Sequence, residues 1–251
     1  FATSFSTAVT TLQLTNSTFN AVGSATLTNA LGKTLSIDSS TIAAPLVNQG
    51  LLIATRANTI SGTLTTATNS TVQVRALGAT SNSQLNVTNS FSNNGRVELL
   101  GSTLTDRGEI ATLNLTTLGA MLTNESNGVI QSACSGFGVN VLAAQLTNLG
   151  RLDVDQRLNM SLTSAAHTNS GAINVTAGDL IVSQSGSSAS FTNSNSITIG
   201  SNRTLTISGG TFNQSAGIID AGLGTLSLFS TTGNFATSFS TAVTTLQLTN
   251  S

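Results

Sequence analysis

Asp153, Asp155 and Arg157 stand at i, i+2 and i+4 in the run RLDVDQR. Alternate residues of an extended strand share a face, so a strand running through all three projects two carboxylates and a guanidinium together. Two such acids can divide general acid and general base work or hold a cation, and the arginine can orient a uronate. The competing reading is a solvated strand edge on which arginine offsets two acids. No second basic cluster or histidine lies nearby in sequence, and the chain has no Tyr or Trp to floor a sugar cleft. These three residues stand as weak binding candidates; no catalytic residue is assigned, and the chain is expected not to be an enzyme.

The other reactive side chains are isolated. His167 is the single histidine, which excludes a histidine-built metal centre and argues against a catalytic triad. It opens the phrase HTNSGAI, where other phrases carry Leu or Phe, so it reads as a partly buried member of an apolar stack. Cys134 is the single cysteine, so no internal disulfide forms. The Gly- and Asp-rich nonapeptides of calcium-binding β-rolls are absent, and neither a metal nor a cofactor is expected. Sequons such as Asn16, Asn69, Asn86 and Asn114 are what a Ser/Thr-rich chain supplies by chance. Thr-x-Thr pairs at Thr63/Thr65, Thr103/Thr105 and Thr204/Thr206 resemble those of ice-binding β-helices. Such surfaces need ranks at constant period, and the irregular spacing argues against one.

What does recur is asparagine. An apolar residue, a small polar residue, Asn, a short gap often ending in Gly and then alternating apolar residues form a phrase seen about ten times. It reads LTNALGKTLSI at Asn29, LVNQGLLI at Asn48, FSNNGRVEL at Asn94 and LTDRGEI at Asp106. It continues as LTNESNGVI at Asn124, LTNLGRLDV at Asn148, HTNSGAINV at Asn169, FTNSNSITI at Asn193 and FNQSAGII at Asn213, with a weak copy at Asn69. These anchors lie 12 to 25 residues apart. Asn suits a corner because it tolerates left-handed backbone and bonds its own turn. Stacked corners would set Asn over Asn in an amide ladder, with the following Gly supplying positive φ.

After each anchor the alternation has period two, as in Leu152/Val154, Ile173/Val175, Ile197/Ile199 and Leu205/Ile207. No stretch sustains helical spacing. A turn of about 20 residues cannot bury its own apolar face, but stacked turns can. The expected fold is all-β: a parallel β-helix (β-solenoid), right-handed by the general rule for parallel crossovers, with about 12 coils of roughly 20 residues in each 234-residue unit.

That unit length comes from a second repeat. Phe1–Ser17 (FATSFSTAVTTLQLTNS) recurs letter for letter as Phe235–Ser251. Residues 1–234 read as one solenoid unit and 235–251 as the start of the next, each copy expected in the same environment one period on. Only 7% of residues are charged, against roughly a quarter in ordinary globular proteins. The net charge of −1 leaves no footprint for nucleic acid, and no apolar run is long enough to span a bilayer.

The phrase N-x-G-x-[ILV]-x-[ILV] with its apolar lead is similar to the coils of filamentous-haemagglutinin-type adhesins and other giant bacterial β-solenoid surface proteins. That resemblance implies a right-handed, exported and surface-displayed helix. The functional expectation is the structural shaft of an extracellular bacterial filament, sheath or giant adhesin. Its partners would be copies of itself end to end, covalent or polymeric, with lateral association between neutral surfaces. The alternative is a glycan-binding or polysaccharide-cleaving β-helix module.

Overall fold

The computed structural model describes residues 4–8, 11–77, 81–101, 108–134, 138–236 and 245–251. Among these, every regular element is a strand, and every strand pairing between named strands is parallel. The chain winds as a β-solenoid of about 10 turns of about 22 residues. Each turn lays one short strand on each of three faces.

The first face starts at Phe5–Ser6 and reaches Thr232–Phe235, as a four-stranded and a seven-stranded sheet. The second carries ten strands, from Leu12–Thr15 to Ile218–Asp220. The third carries eleven, from Thr18–Phe19 to Thr245–Thr249.

Period-two patterning sets which side chains enter. On the second face one inward column runs Leu12, Leu35, Leu52, Val72, Val97, Ile130, Leu152, Ile173, Ile197, Ile219, each the register partner of the next. The third face stacks Leu85, Leu113, Leu142, Met160, Val182, Ile207 and Leu228 in the same way. The three faces close on one continuous apolar core, in which Phe191 and Phe212 are the bulkiest fully enclosed side chains. Their ring centroids lie 5.7 Å apart.

Irregular sequence spacing is absorbed at the corners. Register partners on the second face are as close as Thr34 and Leu51 and as distant as Arg96 and Val129. This explains why the turns are fewer and longer than the sequence count. Strand Phe91–Asn93 pairs directly with Met121–Asn124, so the phrase at Asp106 adds no coil between them. Asp106 itself lies outside the described residues.

The strand described in both copies of the seventeen-residue repeat lies on a different face in each. Leu12–Thr15 lies on the second face against Thr34–Asp38, with Leu12 on Leu35 and Leu14 on Ile37. Its duplicate, within Thr245–Thr249, lies on the third face against Thr225–Phe229, with Leu246 on Leu226 and Leu248 on Leu228. Both faces present an apolar column at the same two-residue spacing; Leu12, Leu14 and Leu246 are half-buried against it, whereas Leu248 is 60% exposed.

Candidate functional site

The recurrent asparagines end the first-face strands, two residues beyond the inward apolar lead. Parity then turns each amide inward, at the corner between the first and second faces. Asn29, Asn48, Asn93, Asn124, Asn148, Asn169 and Asn193 are buried there, with Thr66 and Gln214 at the same level of their own coils.

Most of these amide nitrogens have two tasks. One N–H reaches the next amide oxygen: Asn29 donates to Asn48, Asn124 to Asn148, Asn148 to Asn169 and Asn169 to Asn193, all at 2.7 Å. Asn93 donates to Asn124 at 2.8 Å and Asn193 to Gln214 Oε1 at 2.9 Å. The other reaches the carbonyl that opens the next second-face strand: Asn48 to Thr71, Asn93 to Val129, Asn124 to Arg151 and Asn148 to Ala172, at 3.0–3.1 Å. A buried primary amide left without partners would cost a few kcal/mol. Here it instead ties successive corners together.

Two anchors sit one residue away from their predicted place. In FSNNG the buried amide is Asn93, because Phe91 points inward and parity selects the second residue after it; Asn94 is half-buried, and its backbone N–H donates to Thr66 Oγ1 at 2.9 Å. In FNQ the inward pair is Phe212 and Gln214, so Asn213 faces outward and donates to Thr192 Oγ1. The weak phrase at Asn69 is represented in the ladder by Thr66, whose hydroxyl also donates to Ser92 O across the break between the two first-face sheets.

The left-handed backbone expected of the anchor Asn is not seen, and the positive φ expected of the following Gly holds at Gly32 and Gly217 but not at Gly150 or Gly171. No ladder asparagine has positive φ. Gly150 and Gly171 likewise have no positive φ, and they are glycine because of close approach. A Cβ on Gly150 would lie 2.2 Å from the carbonyl oxygens of Glu125 and Gly128, and one on Gly171 would lie 2.0 Å from Gly150 O.

Sequence reasoning missed Asn58 and Asn140, which seal the opposite corner, between the second and third faces. Asn58 Oδ1 accepts from Ser40 N and its amide donates to Thr55 O. Asn140 donates to Leu99 O and Ser132 Oγ, and accepts from Ala111 N. Their signal is parity with Ile60 and Leu142, the inward residues two places on.

The acid cluster is dispersed. Its strand is Arg151–Val154, so Arg157 lies past the corner, exposed. Asp153 accepts from Arg151 Nε at 2.8 Å and from Asn174 at 2.9 Å. Asp155 accepts from Gln131 and from Thr176 Oγ1. Every carboxylate oxygen of the pair is thus bonded to a neighbouring side chain on its own flank. All seven charged residues within described strands (Asp38, Arg75, Arg96, Glu98, Arg151, Asp153, Asp220) belong to the second face, and the strands of the first and third carry none.

His167 stands in the first-face column between Leu146 and Phe191, fully enclosed. Its Nδ1 accepts from Leu146 N at 3.2 Å and Nε2 has no partner. Burial lowers its pKa from 6.5 to about 4, so the ring is neutral.

The corner absorption noted above also bears on the threonines. Thr123, Thr147, Thr168 and Thr192 are successive register partners on the outer side of the first face, so unequal sequence gaps do not prevent a rank. The column beside it is Met121, Gln145, Ala166 and Ser190, so the rank is single. Of the pairs noted in sequence, Thr103/Thr105 lies outside the described residues.

Between the protruding turns at Thr116–Gly119 and Leu162–Ala165 lies a groove of about 280 Å³ with no titratable lining; Leu118 on its wall is 96% exposed. Among the described residues no group of three or more His, Cys, Asp or Glu is placed to hold a metal ion, and no helix is long and apolar enough to cross a membrane. No protein-family model, curated protein or solved structure matches this chain.

Proposed function

We propose that this chain is part of the structural shaft of an extracellular bacterial filament, sheath or giant adhesin, built from 234-residue β-helical units joined end to end. The observation that carries the reading is the unaltered return of seventeen residues after 234, in a fold that lengthens by adding coils. Its action is mechanical: it sets a distance between whatever its two ends hold. A surface with few charges and two uncharged faces lets neighbouring shafts pack with little repulsion. The likeness of the N-x-G phrase to filamentous-haemagglutinin-type coils supports display outside the cell, as does the near absence of cysteine.

Electron microscopy of chains carrying one, two and three units tests this. About ten turns at a strand spacing of ~4.8 Å predict a thin rod that lengthens by roughly 50 Å per unit. Separate beads on a flexible string, or chains whose length does not grow with unit number, would overturn the proposal.

A further inference from the structure

The charges on the outer side of the second face are ordered across the sheet as well as along it. One outward column runs Leu51, Thr71, Arg96, Val129 and Arg151, each the register partner of the next. Two residues further along each strand, a parallel column runs Ile53, Gln73, Glu98, Gln131 and Asp153. Both arginines therefore stand in the first column and both acids in the second, two coils apart, with Gln73 and Gln131 in the coils between. Arg96 Nε donates to Glu98 at 2.6 Å and Arg151 Nε to Asp153 at 2.8 Å. Gln73 also donates to Glu98, at 2.9 Å, and Arg96 to Gln131. The strip is thus held in place within the chain, which lowers the side-chain ordering cost of binding anything to it. The Arg151 side chain is 51% exposed and bonds through Nε alone, so its Nη atoms remain for an acceptor on another molecule.

Side-by-side columns of opposite charge are self-complementary in one orientation. A twofold axis parallel to the solenoid axis, midway between the columns, sets a second copy face to face with its columns exchanged. Arg96 then opposes the second copy's Glu98, Arg151 opposes its Asp153, and Leu51 opposes its Ile53. A twofold axis along the strands at the Val129 coil instead opposes Arg96 to Arg151 and Glu98 to Asp153, like charge to like, which is costly. Sliding one copy by a single coil sets both arginines against neutral amides.

We infer that the second face is a lateral docking surface whose occupant is the same face of a second copy of this chain, parallel and in register. At each charged level the two strands form a closed ring of four charges of alternating sign. Sheets packed face to face lie about 10 Å apart, a gap that an arginine and a carboxylate reaching from opposite sides can bridge. Ten strands of up to five residues make a face about 17 Å wide and about 48 Å long. That is roughly 800 Å² on each partner, the area that a specific stable interface buries per side. The inference goes beyond the shaft reading: it needs one unit and no array, and it assigns side-by-side association to the charged face.

Sedimentation velocity of the 251-residue chain, in reducing buffer to keep Cys134 from bridging copies, tests this. Arg96→Glu combined with Arg151→Glu makes the strip wholly acidic and should raise the dimer dissociation constant at least tenfold. Glu98→Arg combined with Asp153→Arg makes it wholly basic and should do the same, whereas an equimolar mixture of the two variants should recover a dimer. Exchange at one level, Arg96→Glu with Glu98→Arg, keeps the ion pair within its strand and so preserves the fold. That variant should self-associate as the original chain does, yet pair with the original chain at least tenfold more weakly. Free mixing of the exchanged and original chains would overturn the parallel register. A chain that stays monomeric, or an association that none of these changes weakens, would overturn the docking surface. Either result would leave the shaft reading, which concerns growth along the axis, untouched.

Discussion

Asn169 and Asn193, 24 residues apart in sequence, are register partners on the first face, and the amide nitrogen of the first donates to the amide oxygen of the second at 2.7 Å, both side chains fully buried. This contact joins one coil to the next where no apolar side chain could, since backbone carbonyls converge at that corner. The stability of the stack should therefore depend on the amides as well as on the aliphatic columns.

Asn169→Ala removes the acceptor used by Asn148 and the donor used by Asn193. Buried groups left without partners cost about 1–3 kcal/mol each, so a loss of about 2–5 kcal/mol is expected in denaturant unfolding. Asn213→Ala, at the outward-facing neighbour of the ladder, should change stability by less than about 1 kcal/mol. Equal effects at the two positions would show that the ladder has no special weight.

His167 makes stability depend on pH. Its folded pKa, about 4, lies below the ordinary value of 6.5, so between those values the unfolded chain binds the extra proton. The stability associated with the neutral ring is therefore fully present above about pH 6.5 and is lost as pH falls towards 4. At about 1.4 kcal/mol per pH unit, the loss approaches about 3 kcal/mol. Urea unfolding between pH 7 and pH 4 should show this slope, and His167→Leu should flatten it whatever its effect at neutral pH. An unchanged slope in that variant would assign the pH dependence elsewhere.

Ile199→Asp places a carboxylate in the inward column of the second face beside Val175. An unpaired buried charge costs several kcal/mol. Because coils contact mainly their neighbours, the damage should stay local. Limited proteolysis should cut first within roughly one coil of residue 199; cuts spread evenly along the chain would contradict the nearest-neighbour picture.

Replacing Asp153 and Asp155 together by Asn should leave the fold intact, because both acids lie on the solvent side of the second face and surface ion pairs contribute little. If the shaft reading is right, rod formation should be unaffected as well. Loss of a polysaccharide-cleaving activity on this change would instead promote the glycan-processing alternative.

The strands and the core were legible because alternation survives in almost every coil: Leu152/Val154 and Ile197/Ile199 show it in sequence and point inward in space. The ladder was legible in kind but off by one residue at two places, since FSNNG and FNQ offer adjacent amides and only parity from Phe91 and Phe212 separates them. The number of turns was less legible, because sequence gaps mix strand length with corner length, and the phrase at Asp106 reads as an extra short coil although Phe91–Asn93 pairs directly with Met121–Asn124. For the charged cluster, i, i+2, i+4 spacing implies a shared face only while the strand lasts, and it ends at Val154, which leaves Arg157 past the corner. The different placement of the two identical segments could not be read from their letters at all; it depends on which coil each one meets.

The donors of the amide ladder all point the same way. From Asn29 to Gln214, each nitrogen-to-oxygen bond between ladder amides runs from the earlier coil to the later one. Thr7 supplies the first hydroxyl to Asn29, and at the other end Gln214 turns its nitrogen onto Ala216 O. Aligned amides polarise one another, so the row is two directed runs of dipoles along the axis, Asn29 to Asn48 and Asn93 to Gln214, interrupted at Thr66 and pointing the same way. A rod made of such units has a head and a tail. If units join end to end as proposed above, two meeting head to head would set like poles against each other, so joining head to tail would be favoured.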